Sequence, residues 1–299
     1  MLSRRTLLAA AFAKPKIYFR HDEAASLLHI ESGEIKTAFH YGNRWPKPFL
    51  YPIMSPSGID MSRAFPLSSR PGESTDHAWH RGLWIGHGDI NGFDFWREIK
   101  PENTGLIRAS SKPQITRAGF YVFTQLLPPG QIRPLATLRQ IWSFAWRKHG
   151  FVIDTQFIYN AHTRLRFADT DDGGFGLRLR DEFREDRGAV MLSDDGRRGT
   201  KSLWGKPAKW IDYSAQVEGK TCGVTIFDHP KNLRYPTEWH ARPYGLNAAN
   251  PFAHRSFNGK AAPSGEYEVP AGKTLHLNYR VLWHDGLGES INLKSEAPQ

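Results

Sequence analysis

The chain has 299 residues, a formal net charge of +10 and a single cysteine, Cys222. One cysteine excludes an internal disulfide, and a chain of this length can bury a core large enough to fold without one. The basic residues are interspersed with acidic ones, and the sequence contains no zinc-finger spacing, RNA-recognition signature or basic helix, which argues against specific nucleic-acid binding.

The first thirteen residues have the composition of an export signal. Arg4 and Arg5 precede a short apolar run that ends in an Ala-x-Ala sequence at Ala13. Residues 3–8 also match the twin-arginine pattern. No other stretch approaches the roughly 18 apolar residues of a membrane span. We expect residues 1–13 to be an export signal, residues 14–299 to form a single soluble domain, and the protein to be periplasmic or secreted.

Strand patterns dominate the remaining chain. Leu27–Ile30 and Ile35–Tyr41 predict a first antiparallel pair joined through a turn at Ser32 and Gly33. Apolar residues in alternating or short continuous runs predict further strands at Gln140–Trp146, Phe151–Tyr159, Phe175–Leu179, Val224–Phe227 and Thr274–Trp283. Many short strands separated by Gly and Pro turns, with no long amphipathic helix, predict an all-β fold, an antiparallel β-sandwich.

Two long segments, 42–100 and 228–260, lack this alternation and are rich in Pro, Gly, His, Trp and Asn. Loops of this length in a compact domain are usually either functional or disordered. Their many aromatic residues argue against disorder. We therefore expect long ordered loops that contain the functional residues.

The segment Glu73–Trp96 has the strongest chemical pattern, with three histidines in eleven positions among carboxylates and glycines. Histidine exchanges protons near neutral pH and is also the commonest metal ligand, and a neighbouring carboxylate can orient its ring. The catalytic candidates here are His77, His80, His87 and Asp76. The candidates for substrate contacts are Arg81, Trp84 and Asp89. A structural polar network is the alternative interpretation.

The same three histidines, His77, His80 and His87, are the candidates for a metal site. Imidazole nitrogens suit a divalent ion, but their spacing matches no specific zinc signature. The cofactor is therefore left open, with a divalent metal as one alternative.

Two further clusters contain residues suited to a binding site. An acidic run at 169–172 precedes a predicted strand, and Asp169 or Asp171 is its candidate catalytic carboxylate, with an acidic turn as the alternative. The segment Phe227–Phe252 contains donors, acceptors and stacking surfaces suited to hydroxyl-rich ligands. Its candidates for substrate binding are His229, His240, Arg242, Tyr244 and Asn247.

Together these segments resemble the PmoA-like family, a bacterial family of uncertain activity often labelled "methane oxygenase PmoA". The resemblance extends from Lys47 to Phe252 and depends on blocks at 76–84, 87–92, 210–214, 227–230 and 244–251. The sequence departs from the family pattern at Trp79, where a second histidine beside His80 is expected. The resemblance implies a β-sandwich, similar to the galactose mutarotase-like supersandwich, in an exported protein that acts on carbohydrate.

Three functions follow in order of preference. The first is an exported carbohydrate-active enzyme (a glycoside hydrolase, a lyase or a keto-glycoside hydrolase) that uses a His/Asp acid–base site. The second is a non-catalytic carbohydrate-binding module. The third is a metal-dependent oxygenase, as the family label implies. In the first two, the partner is a carbohydrate or another hydroxyl-rich small molecule, and the oligomeric state is open.

Overall fold

The computed structural model describes residues 14–299. The predicted export signal at residues 1–13 lies outside the described residues. The described part contains nineteen strands. In chain order they are β1 (Tyr18–Asp22), β2 (Leu27–Ser32), β3 (Ile35–His40), β4 (Phe49–Tyr51), β5 (Leu83–His87), β6 (Leu106–Ala109), β7 (Gln114–Ile115), β8 (Gly119–Leu127), β9 (Ala136–Trp146), β10 (Phe151–Ala161), β11 (Leu165–Phe167), β12 (Gly173–Arg178), β13 (Val190–Ser193), β14 (Trp210–Val217), β15 (Lys220–Asp228), β16 (Glu238–Ala241), β17 (Leu246–Asn250), β18 (Tyr267–Val269) and β19 (Thr274–Asp285).

Helical structure within residues 14–299 is short. There are two α-helices, α1 (Thr200–Leu203) and α2 (His254–Asn258). Single turns of 3₁₀ helix lie at Asp181–Phe183, Glu185–Arg187, Gly288–Ser290 and Leu293–Glu296. No helix in the described part of the chain is long and apolar enough to cross a membrane.

The strands form two large antiparallel sheets. Sheet A has eight strands in the order β1-β2-β3-β4-β5-β12-β17-β16. Sheet B has nine strands, in the order β13-β14-β15-β19-β10-β9-β8-β6 with β7 paired to β8. The short strands β11 and β18 form a separate pair.

The main hydrophobic core lies between sheets A and B. Phe39 of sheet A lies 4.9 Å from Phe120 of sheet B, measured between ring centroids. Phe175 and Tyr279 stack across the same interface at 4.9 Å. Strands β8 and β9 of sheet B alternate buried and more exposed residues, because only one face of these pleated strands points into the core. The predicted all-β antiparallel sandwich is confirmed.

Each predicted strand is present, with ends that differ from the predicted ones by up to four residues. The predicted first pair is β2 and β3, joined with Ser32 opposite Ile35. The predicted hairpin near Gly150 is also confirmed, since Trp146 of β9 pairs with Phe151 of β10.

The two segments predicted as long loops are only partly loops. Segment 42–100 contains β4 and β5, and segment 228–260 contains β16, β17 and α2. All five residues of β5 and of β17 are buried. A strand covered on both faces has no polar face, so its sequence does not alternate. These strands therefore lack the pattern on which the prediction depended.

Candidate functional site

The face of sheet A turned away from sheet B, called the outer face below, has its own apolar cluster. Its buried members are Phe49, Trp84, Trp96, Leu246 and Ala248, and Trp45, Tyr51, Leu67, Trp79 and Tyr244 pack against them while partly exposed. Residues that pair across adjacent strands lie on the same face of a sheet. One such row crosses β5, β12, β17 and β16 and consists of Trp84, Gly176, Ala248 and His240. Gly176 leaves room for the rings, since a Cβ atom there would lie 2.7 Å from Trp96.

Three rings form a column that rises from this cluster toward solvent. His80 stacks on Trp84 with ring centroids 5.2 Å apart, and His77 stacks on His80 at 4.9 Å with planes inclined by 6°. His80 is 1% exposed, whereas the side chain of His77 is 37% exposed. His77 also has a φ of +41°, a left-handed conformation that is uncommon outside glycine and that places its ring on the stack. His77 is therefore the histidine of this column that a bound molecule can reach.

A partly exposed carboxylate held by two buried arginines lies beside His77. Asp76 Oδ1 lies 3.1 Å from His77 Nδ1 and accepts hydrogen bonds from Arg63 at 2.6 Å and Arg178 at 2.8 Å. Arg63 also donates to the carbonyl oxygens of His77 and His80. Burial opposes ionisation of Asp76, but the contact with His77 and the charges of both arginines outweigh it and hold its pKa well below the usual value.

A second titratable group lies on the same face. Asp172, which immediately precedes β12, lies 3.5 Å from Arg97 Nη1 and 3.9 Å from His240 Nδ1. Burial and the charge of Asp171 raise the pKa of Asp172 to about 6, although Arg97 and His77 act in the opposite direction. Burial lowers the pKa of His240 to about 4, so its ring is neutral at neutral pH. Asp172 thus holds a proton at a higher pH than a solvent-exposed aspartate does.

Aromatic rings and a guanidinium group connect the two titratable groups. The Tyr244 ring stacks on His77 at 5.4 Å, and the Arg242 guanidinium carbon lies 5.5 Å from the centre of the Tyr244 ring and 4.7 Å from that of Trp204. Trp204 in turn packs edge-on against His240 at 4.8 Å. Tyr244, Trp204 and Arg242 are all partly exposed. The site from His77 to Asp172 therefore combines two titratable groups with apolar rings that a ligand can reach.

The structure separates His87 from the other two histidines. Side chains alternate along β5, so His87 projects into the core while Trp84 projects from the outer face. The His87 ring packs against Phe167 and Phe252, and its Nε2 lies 2.8 Å from the Ala168 carbonyl oxygen. His87 is 1% exposed, and burial lowers its pKa to about 4. The three histidines are close in sequence, which predicted a shared site. His80 stacks on Trp84, however, and His87 projects from the opposite face of β5.

The acidic run at 169–172 contributes a side chain to the site, but not that of Asp169 or Asp171, the two predicted candidates. Asp169 accepts hydrogen bonds from the backbone N–H groups of Arg255, Ser256 and Gly265, and so fixes the start of α2. Asp171 contributes its backbone oxygen, which accepts from Asn250 at 3.0 Å and lies 2.7 Å from His240 Nδ1. Asp172 is the member of this run that lies at the site.

Other predicted contact residues are buried and paired within the protein. Arg81 is 2% exposed and donates to Glu98 from both of its terminal nitrogens. Trp84 is fully buried beneath His80. Asn247 faces the core and donates to the Ile211 carbonyl oxygen. These three residues support the outer face and do not contact solvent.

Two further predicted residues lie in turns. Asp89 Oδ1 accepts from the N–H of Gly92 at 2.8 Å and closes the turn after β5. His229 follows β15 of sheet B, and its Nδ1 accepts from the N–H of Lys231. Neither residue contacts the site from His77 to Asp172. Of the predicted binding residues, His240, Arg242 and Tyr244 are the ones that the fold brings to His77.

The residues present do not fit a divalent metal. The lone pairs of an imidazole lie in its ring plane, so the parallel rings of His77 and His80 cannot both point at one ion. His87 lies on the opposite face of β5. Within residues 14–299, no group of three or more His, Cys, Asp or Glu side chains has an arrangement that could hold a metal ion.

The site residues predicted from the sequence did not include Asp172, Arg63, Arg178 or Trp204. The acidic run indicated the neighbourhood of Asp172, but nothing in the sequence distinguishes it from Asp169 or Asp171. Arg178 lies in a predicted strand as a polar residue within an apolar run, which is a signal for a buried charged partner. No comparable signal marks Arg63 or Trp204, because their contacts are made by residues distant in the chain.

Residues 30–296 match the model of a family of unknown function, DUF6807, and the chain belongs to that family. The description of the family includes no activity, so the PmoA-like resemblance and its oxygenase label remain predictions. No curated protein matches the sequence.

Several solved structures have a similar arrangement of strands. A galactose mutarotase-like protein from Clostridium acetobutylicum has a TM-score of 0.43 and 9% identity, over 91% of this chain and 99% of that one. A galactose mutarotase related enzyme from Lactobacillus acidophilus has a TM-score of 0.37 and 9% identity, over 90% and 97% of the two chains. A polysaccharide lyase has a TM-score of 0.33 and 10% identity, over 92% of this chain and 33% of that one. These likenesses concern the β-sandwich fold alone.

Proposed function

We propose that the protein is a carbohydrate-active enzyme whose site lies on the outer face of sheet A, with His77 and Asp172 as its acid–base groups. The observation behind this proposal is the position of His77, a partly exposed imidazole held between Asp76 and the ring of Tyr244. A histidine oriented by a carboxylate next to a reachable apolar surface is the arrangement that general acid–base chemistry needs.

In this proposal His77 is the base. The Asp76 carboxylate lies 3.1 Å from Nδ1 without the alignment of a hydrogen bond, and its charge favours the tautomer that carries the proton there. The arginines keep Asp76 ionised. Nε2 is then unprotonated and can accept a proton from water or from a carbon beside a carbonyl group. Asp76 does not leave its two arginines, so it orients the ring without taking the proton.

Asp172 is the acid in this proposal. Its pKa of about 6 allows it to hold a proton in mildly acidic conditions and to donate it to the oxygen of a departing glycosidic group. Contacts through Tyr244, Arg242, Trp204 and His240 link His77 to Asp172, which supports a role for both groups in one site. In one cleavage His77 gains a proton and Asp172 loses one, so the number of protons on the enzyme does not change.

The aromatic rings support a saccharide as the substrate class. Three aromatic rings of the site are partly exposed. Trp79 and Tyr244 contact His77, and Trp204 contacts His240. An aromatic face covers the apolar C–H face of a sugar ring, and the neighbouring charged side chains can hydrogen-bond its hydroxyl groups. The same rings also fit a non-catalytic carbohydrate-binding module, which is the second candidate function.

The test is incubation of the purified protein with a panel of oligosaccharides, polysaccharides and keto-glycosides, with products followed by mass spectrometry. We expect a product from the wild-type protein and its loss in His77→Gln. His87→Gln is the matched control, because His87 lies on the opposite face of β5. Saturable binding without product would favour the binding module, and equal turnover by wild type and His77→Gln would remove His77 from the chemistry.

We also propose that the protein is exported, from the composition of residues 1–13. Mass spectrometry of the protein secreted or released from the periplasm of its bacterial host would test this. The expected mature chain begins at Lys14.

A further inference from the structure

Arg242 differs from the other arginines around His77 and Asp172. Arg63 and Arg178 bind Asp76, and Arg97 binds Asp94 at 2.6 Å. Within residues 14–299, the Arg242 side chain makes neither a hydrogen bond nor an ion pair with another residue, and its buried Nε has no acceptor. Its guanidinium group is therefore a cation at the site whose donors are unused.

The rings beside Arg242 fix its orientation. The guanidinium carbon lies 4.7 Å from the centre of the Trp204 ring and 5.5 Å from that of Tyr244. Cation–π contacts hold the planar group while leaving its N–H donors free to point away from the rings. A guanidinium group fixed in this way can bind a carboxylate with two parallel hydrogen bonds, which a flexible ammonium group cannot.

The charges near Tyr244 also favour an anion. Arg178 and Arg242 both lie over the Tyr244 ring, and Arg178 shares the Asp76 carboxylate with Arg63, whereas Arg242 has no carboxylate partner within residues 14–299. Nη1 of Arg178 is buried without an acceptor in the described part of the chain. Asp172, the other nearby acid, lies beside Arg97 and His240. The acids of the site therefore have arginine or histidine partners, and Arg242 is left as a cation beside Tyr244 that a carboxylate of a bound molecule could neutralise.

We infer that the substrate is an acidic saccharide, a hexuronic acid or a polymer that contains one, and that Arg242 binds its carboxylate. This inference rests on the proposed function and specifies its substrate class. The sugar ring would stack on the rings near His77, and its carboxylate would supply the two acceptors that Arg242 lacks. A neutral saccharide could offer hydroxyl oxygens to this guanidinium group but would leave its charge without a counter-ion in a ligand-covered site, which is less favourable.

The test is a ligand-observed NMR titration of the full chain with the methyl glycosides of glucuronic and galacturonic acid. The methyl esters of the same glycosides are the matched ligands, because they keep the ring and remove the charge. We expect at least one uronate to bind about 10- to 100-fold more tightly than its ester, since hydrogen bonds between charged groups have this strength. The preference should shrink as salt is added.

Variants of Arg242 test whether the preference for a uronate over its methyl ester depends on this residue. Arg242→Gln should reduce the ratio of the uronate affinity to the ester affinity to less than about threefold, and Arg242→Lys should retain only part of this ratio, because lysine cannot form the bidentate pair. Arg44→Gln is the control, since Arg44 also lies over a tryptophan ring, Trp45, but away from His77. Thermal unfolding of each variant would show that it is folded.

Three results would overturn the inference. They are equal binding of uronates and esters by wild type, a uronate preference that survives in Arg242→Gln, and no binding of any uronate. If neutral saccharides bind or are turned over with dependence on His77 but uronates have no advantage, the inference fails and the proposed function stands. If no saccharide in either experiment binds or reacts, both fail.

Discussion

His77 and Tyr244 stack face to face, with ring centroids 5.4 Å apart and planes inclined by 14°. His77 lies in the segment before β5, and Tyr244 lies between β16 and β17, so the contact joins two distant parts of the chain. The guanidinium carbon of Arg178 lies 4.5 Å from the centre of the same Tyr244 ring. The stack therefore connects the candidate base to the arginines that fix Asp76.

Removal of the Tyr244 ring should impair substrate binding more than removal of its hydroxyl group. Tyr244→Phe keeps the stack on His77 and should change the affinity for substrate by less than about threefold, whereas Tyr244→Ala should weaken it by roughly tenfold or more, because stacked aromatic contacts contribute about 1 kcal/mol beyond buried area. Calorimetric titration of the identified substrate measures both. Equal affinities for Tyr244→Ala and wild type would show that the ring does not contact the ligand.

Asp76 should affect both catalysis and stability. Asp76→Asn removes the negative charge that Arg63 and Arg178 share, and should lower the unfolding free energy by about 1–2 kcal/mol, because Asp76 is partly exposed and Arg63 keeps its backbone carbonyl acceptors. It should also slow turnover by changing the tautomer of His77, with a smaller change in KM than in kcat. Urea unfolding and steady-state kinetics measure these effects. A variant with normal kcat would show that Asp76 does not orient the base.

The pH dependence of turnover should report on Asp172. The carboxyl group acts as an acid only while protonated, and burial with the charge of Asp171 raises its pKa to about 6. The activity that depends on this proton is present below that pH and is lost as the pH rises through about 6. Asp172→Asn should abolish this limb of the profile of kcat/KM and lower the maximum rate. A limb at the same pH in Asp172→Asn would assign it to another group.

His87 should affect acid stability but not catalysis. Burial lowers its folded-state pKa to about 4, whereas the unfolded chain takes up this proton near pH 6.5. The unfolded state therefore binds more protons between these values, and the unfolding free energy falls as the pH drops from about 6.5 to about 4, by roughly 3 kcal/mol for this group. His87→Gln should make this fall shallower. Urea denaturation across that pH range measures the slope, and identical slopes for both proteins would contradict the assignment.

Asp169 should be structural rather than catalytic. It accepts three backbone N–H groups, from Arg255, Ser256 and Gly265, and Asp169→Ala leaves them without an acceptor. The variant should lose about 2 kcal/mol of unfolding free energy with little change in kcat. Chemical denaturation and turnover of the same preparation would test both parts. A large loss of kcat at unchanged stability would restore Asp169 as a catalytic candidate.

The fold was predictable where one face of a strand meets solvent. β9 and β10 alternate, so their sequences indicate both the strands and their hairpin. β5 and β17 are covered on both faces and have no such period, so they were predicted as loops. Two of the central strands of sheet A lack alternation, so the sequence did not indicate that the outer face of this sheet is covered.

The site was predictable as a neighbourhood but not as a set of contacts. The concentration of histidines indicated His77, and the later segment indicated His240, Arg242 and Tyr244. The sequence could not show that the His87 side chain on β5 points into the core. It also could not show that Asp169 accepts hydrogen bonds from the backbone of α2. Both outcomes depend on elements that meet only after the two sheets pack.

The most direct test of the proposed acid–base site compares kcat/KM for wild type, His77→Gln and His87→Gln on the saccharide identified by the panel. We predict that His77→Gln lowers kcat/KM by about 10²- to 10⁴-fold, the range for loss of a general base, while His87→Gln stays within about threefold of wild type at neutral pH. A His77→Gln variant with wild-type kcat/KM on that saccharide would contradict it.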